Sequence, residues 1–181
     1  MKHLIQATIA MAAATLCLSA AAAPVTFTAN LSSAGEPVPT STATGFATVS
    51  FDDALFSVNV QVSWTGLANT MAFGHIHCCT AVGNTGNAGV ALGFNPLPAL
   101  TTGSYNDTFT LSSTAFNNLL TGTTDGKAYV NIHTPGLYAG GEIRGFLTPA
   151  LTVPEPGSLA LAMLALGVAG FAGKKRSLAV R

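Results

Sequence analysis

Charge is what this chain has least of. Asp, Glu, Lys and Arg together make up 8% of its 181 residues, far too few for a disordered polyelectrolyte. Basic residues are especially sparse in the middle. Between Val25 and Thr152 only Lys127 and Arg144 stand against Glu36, Asp52, Asp53, Asp107, Asp125 and Glu142, a net charge near −4, while Lys2, Lys174, Lys175, Arg176 and Arg181 sit at the two ends. A nucleic-acid partner needs phosphate-neutralising side chains on the folded part, so none is expected. Cysteine is nearly missing: Cys17 lies in an N-terminal apolar run, which leaves Cys78 and Cys79 and excludes a disulfide-rich scaffold. There is no phosphate-binding glycine loop and no Gly-x-Ser-x-Gly elbow, and no acid is placed to complete a triad with a histidine. Nucleotide and serine-hydrolase chemistry therefore have no residues to rest on. What is present is 49% hydrophobic residues, 23 Thr, 12 Ser and 19 Gly without a three-residue period, which excludes collagen.

Both ends read as processing signals. Lys2 and His3 precede an apolar run from Leu4 to Leu18, followed by Ser19 and alanines ending at Ala23-Pro24. This predicts a secretory signal peptide over residues 1–23. Cleavage after Ala22 is slightly preferred over Ala23, because Pro24 would directly follow the latter cut. Leu16 before Cys17 disfavours a lipoprotein signal. At the other end Pro154-Glu155-Pro156 is followed by an uncharged run from Leu159 to Gly173, then Lys174-Lys175-Arg176. The run predicts a short transmembrane helix over 157–173, with the basic cluster kept cytoplasmic. Together these elements resemble the PEP-CTERM sorting signal of Gram-negative bacteria. The resemblance implies an exosortase-type peptidase as partner, an inner-membrane intermediate and delivery to the cell surface or extracellular matrix. The tail is placed at 153–181.

Residues 24–152 remain as one domain of ordinary size. Val25, Phe27, Ala29 and Leu31 alternate with Thr26, Thr28 and Asn30, and Phe56 to Trp64 alternates more cleanly still. Each predicts a strand with one buried face. Thr42 to Phe51 meets the next strand at Asp52-Asp53, a hairpin turn. Further strands are expected at Met71–His77, Val90–Phe94, Tyr105–Leu111, Lys127–His133 and Glu142–Leu147. Thr114 to Leu120 reads as a helix, with Ser112 or Ser113 as N-cap and Gly122 near its end. Eight short strands and one short helix predict an all-β fold, an antiparallel Greek-key-like β-sandwich. Trp64 and the phenylalanines are expected in its core.

Several segments resemble the CHRD domain, a module of many bacterial secreted proteins. They are Phe27 to Leu31 with Gly35-Glu36-Pro37, Gly66-Leu67, His75-Ile76-His77 with the stretch Gly83 to Gly89, and Ala128 to Thr134 with Gly140 to Gly145. Cys78-Cys79 stands where that family usually has a Gly-containing loop. The resemblance implies a β-sandwich without implying a defined chemistry.

Residues at i and i+2 of a strand share a face, so His75 and His77 project together about 7 Å apart. His133 ends a late strand. Imidazoles suit copper or zinc, and three converging on one point make a metal site. The order of these histidines is also similar to Cu/Zn superoxide dismutase, on which analogy they fall where copper ligands lie. No later histidine exists to complete its second metal site. Cys78 and Cys79 are open to three readings: a vicinal disulfide, free or intermolecular thiols, or soft metal ligands. Glu142 and Arg144, also i and i+2, are expected to pair on a sheet surface. The sequence thus points first to an exported, non-enzymatic surface or matrix module, and second to a copper-binding or redox protein using His75, His77 and His133.

Overall fold

The structure, a computed structural model, describes residues 23–151. The expected signal peptide and the sorting tail lie outside the described residues. Among those described, no helix is long and apolar enough to cross a membrane.

The alternating segments become strands in two antiparallel sheets. The first sheet contains β1 (Val25–Leu31), β2 (Thr44–Asp52), β3 (Ser57–Thr65), β6 (Gly103–Thr110) and β9 (Thr148–Pro149) in the order β6-β3-β2-β1-β9. The second contains β4 (Phe73–His77), β5 (Val90–Gly93), β7 (Tyr129–His133) and β8 (Ile143–Phe146) in the order β5-β4-β7-β8. Period two decides which face is buried. Val58, Val60, Val62 and Trp64 of β3 face inward, where they meet Phe27, Phe51 and Ile76, while Thr, Ser, Asn and Gln line the other side of the first sheet. The two inner faces form one core, so the expected β-sandwich is the observed architecture.

The differences from the expectation are local. Among the described residues there are nine strands rather than eight, since Thr148 and Pro149 pair with Thr28 and Phe27 at the sheet edge. The helix, α1 (Ser113–Thr124), runs past Gly122 to Asp125. Its N-cap is Ser112, whose hydroxyl accepts the Ala115 N–H. The β2–β3 turn is held by Asp52 Oδ1, which accepts the N–H groups of Ala54 and Leu55 at 3.0 and 3.1 Å. Phe46, Phe56 and Phe73 are exposed rather than buried in the core. Phe56 occupies the turn with φ 48°, and Phe73 faces outward from β4, where it stacks on His75.

Candidate metal centre

The outer face of the second sheet carries the chemistry. β4 and β7 pair antiparallel with His75 opposite Asn131, His77 opposite Tyr129 and His133 opposite Phe73. Side chains alternate, so Ile76, Val130 and Ile132 enter the core and leave His75, His77, Tyr129, Asn131 and His133 together on the opposite face. His75 and His133 are diagonal neighbours across the pair, with ring centroids 5.1 Å apart. One nitrogen from each of His75, His77 and His133 lies within 4.8 Å of the others. The spacing of His-x-His predicts the first two; the β4–β7 register brings in the third.

Two carbonyls fix which nitrogen faces inward. His77 Nδ1 donates to Ala88 O at 2.9 Å and His133 Nδ1 to Ala139 O at 3.1 Å, so both present a bare Nε2. His75 Nδ1 lies 3.3 Å from the bare His133 Nε2 and donates to it in the metal-free site. Such outer hydrogen bonds orient imidazole ligands and set their tautomer. Tyr129 supports the arrangement twice. Its ring stacks on His77 at 4.8 Å, and its hydroxyl accepts the N–H of Ala88 at 3.3 Å.

The electrostatics keep the cluster neutral. Burial, with His133 and His77 beside it, pushes the His75 pKa down to about 4. Burial lowers His77 against the pull of the Ala88 carbonyl, and lowers His133 against that of Ala139. Two bare Nε2 atoms, with a neutral His75 that can bare its Nδ1 by changing tautomer, are a donor set for Cu²⁺ or Zn²⁺ at neutral pH, because no imidazolium has to lose its charge to bind the metal.

A cavity of about 180 Å³ opens beside the triad, lined by His77, His133, Tyr129, Asn131, Glu36 and Arg144 among others. Glu36 follows the 3-10 turn Ser33–Gly35, and this loop is tied to β8 by paired bonds between the backbones of Ser32 and Arg144. The Glu36 carboxyl accepts no hydrogen bond in the described structure, and burial pushes its pKa up to about 7 although Arg144 opposes the shift. Gly141 makes room for it: at φ 132° a Cβ there would collide with the Glu36 carboxyl oxygens.

A CHRD domain model matches residues 27–147, and a PEP-CTERM protein-sorting motif matches residues 152–177. The chain belongs to the CHRD domain family. No curated protein and no solved structure matches it. The sorting motif covers Pro154, Glu155, Pro156, Lys174, Lys175 and Arg176. It marks an exported protein handled by exosortase and directed to the cell surface in Gram-negative bacteria.

Within the CHRD domain Cys78 and Cys79 are bonded to each other, and their sulfurs are not part of the triad. They pack on α1 at Gly122, where a Cβ would run into both sulfurs. The expected pairing of Glu142 with Arg144 does not occur. Glu142 precedes β8 and turns inward, fully buried. Its Oε1 accepts from Ser41 Oγ at 2.7 Å and from the Ala68 N–H at 2.8 Å, while its Oε2 accepts from Thr134 Oγ1. Arg144 turns outward, donates to Asn87 Oδ1 at 2.7 Å and lies over the Tyr129 ring. Sequence reasoning missed Glu36, Tyr129, Asn131 and Arg144 as parts of one site. Tyr129 and Asn131 carried a signal, the period-two spacing that places them on the face of His133; Glu36 carried none.

Proposed function

We propose that the exported CHRD domain is a surface-displayed, non-enzymatic module that holds one copper ion on His75, His77 and His133. The observation that carries this reading is the convergence of three neutral imidazole nitrogens within 4.8 Å, two of them with tautomers fixed by backbone carbonyls. Copper is preferred to zinc because imidazole sites bind Cu²⁺ most tightly of the common divalent ions. Three ligands on one rigid sheet face suit a held ion, and the cysteines, bonded to each other, leave the donor set purely nitrogen. The test is to incubate the exported protein with Cu²⁺, remove excess and measure bound metal. One equivalent, lost in His77→Ala with the fold intact, supports the reading. Folded wild-type protein that retains no copper overturns it.

A second reading places the domain in the extracellular matrix, packed through the outward face of the first sheet. What favours it is the make-up of that face: Thr26, Thr28, Thr48, Asn59, Gln61 and Asn106 are typical of it, and its strands expose hydroxyls and amides rather than charges. Recovery of the mature chain only in the inner membrane would exclude matrix placement.

A further inference from the structure

Three buried side-chain atoms in the described structure have no hydrogen-bond partner: Glu36 Oε1, His77 Nε2 and Asn131 Oδ1. They come from three separate segments, a loop after β1, the end of β4 and the middle of β7, yet all three residues line the one cavity beside the triad. Buried polar groups are almost always paired. Three unpaired atoms scattered over a domain would need three explanations, whereas three around one cavity need one occupant.

A metal ion on the triad satisfies His77 Nε2 and leaves the other two. Glu36 is not among the side chains whose ligand atoms cluster within 4.8 Å, so its carboxyl stands back from the triad, and an amide oxygen such as that of Asn131 calls for a donor. Both therefore await polar hydrogens carried by something between them and the metal. Three imidazoles leave a fourth position open for it. The charges choose its sign: a dication on the triad and the Arg144 guanidinium outweigh the single carboxyl of Glu36. The cavity, at about 180 Å³, exceeds the ~30 Å³ share of one water several-fold. Tyr129 is already covered by His77 and Arg144, so no aromatic face is left to stack a ring.

Resting on the metal reading above, we infer that this cavity binds a small oxyanion that retains a hydroxyl, one oxygen taking the open position on the metal and the hydroxyl donating a bifurcated hydrogen bond shared by Glu36 Oε1 and Asn131 Oδ1. Bicarbonate and hydrogen phosphate share this chemistry. Azide, an anion without a polar hydrogen, does not.

The experiment titrates the copper-loaded exported protein at neutral pH with bicarbonate, hydrogen phosphate and azide, each followed by the copper absorption band and electron paramagnetic resonance. Bicarbonate or hydrogen phosphate should shift the spectrum, and its apparent Kd should rise about tenfold in Asn131→Ala and in Glu36→Ala, as loss of one charge-assisted hydrogen bond requires. Azide affinity should stay within about twofold in the same variants. Should Asn131→Ala fail to fold, Glu36→Ala, a loop substitution outside the strands, carries the same expectation. Equal oxyanion affinity in wild type and variants overturns the inference, as does a spectrum that responds to azide alone, which would mean the cavity holds solvent. Wild type that binds copper with neither oxyanion response leaves the metal reading standing and removes this one; folded wild type without copper removes both.

Discussion

Two buried carboxyls show how differently one residue type can be used in this domain. Glu142 has three donors on its two oxygens and joins the loop around Ser41, the loop around Ala68 and the end of β7. Removing it leaves those donors unpaired, at about 1–3 kcal/mol for each that water cannot reach, so Glu142→Ala should lower unfolding stability by about 3 kcal/mol in a urea titration. Glu36 has no partner, and its effect depends on pH. With a folded pKa of about 7 against an ordinary 4.5, the folded state keeps a proton that the unfolded chain has released between those values. The stability contributed by this group therefore declines as pH rises from 4.5 to 7. Metal-free Glu36→Gln should match wild type near pH 4.5 and melt at a higher temperature above pH 7; equal melting at pH 8 would contradict the shift. The histidines work in the opposite direction. Their folded pKa values lie below 6.5, to about 4 for His75, so their contribution is lost as pH falls from 6.5 towards 4. Melting temperatures of metal-free His75→Ala and wild type should diverge across that window, the variant losing less on acidification.

At the scale of elements, the site depends on β4 and β7 lying in one register. A slip of one residue would send His75 and His77 into the core and Ile76 to the surface. What the sequence made legible follows from periodicity. Val58, Val60, Val62 and Trp64 declared β3 because only one face of it is buried, and His75-Ile76-His77 declared a shared face because spacing along a strand is local information. The position of His133 against them was not legible from spacing and was reached only through the likeness in order to Cu/Zn superoxide dismutase, since it depends on pairing two segments more than fifty residues apart. Glu36 was less legible still, arriving on an irregular loop whose course is fixed by its bonds to β8. Glu142 misled because alternation was extended one residue beyond the strand that enforces it. β9 escaped because two residues, one of them Pro149, show no period at all. The helix gives a direct check on the local reading: Ser112→Ala removes the hydroxyl that accepts the Ala115 N–H and should cost about 1 kcal/mol. Phe116→Ala, at a fully buried ring edge-on to Phe51 and Phe56, should cost about 3–5 kcal/mol. Thermal unfolding of the two variants should rank them in that order.

The whole molecule is a net-neutral chain made of unlike parts: Lys and Arg gathered at the two ends and an acidic CHRD domain between them. Because Glu155 lies outside the residues matched by the CHRD domain and beyond the last described strand, Glu155→Ala should leave the CHRD domain folded while blocking release, and fractionation with an antibody to the domain would then find the chain in the inner membrane. Normal release with an unchanged mature mass would show that the tripeptide is not read. The route by which the domain joins its tail adds a mechanical consequence. β9 is held to β1 by the pairing of only two residues, with Thr148 Oγ1 donating to Thr28 O, and the chain leaves directly from it. A pull on the chain beyond Pro149, such as the uncleaved form would feel while held at the membrane, would load those few bonds one after another and peel the strand away from the edge. The peel would stop at Leu147, which is fully buried and whose N–H is bonded to Ala128 O at 3.0 Å. The domain would thus yield a short length of slack under tension while the sheet carrying the histidines keeps its shape.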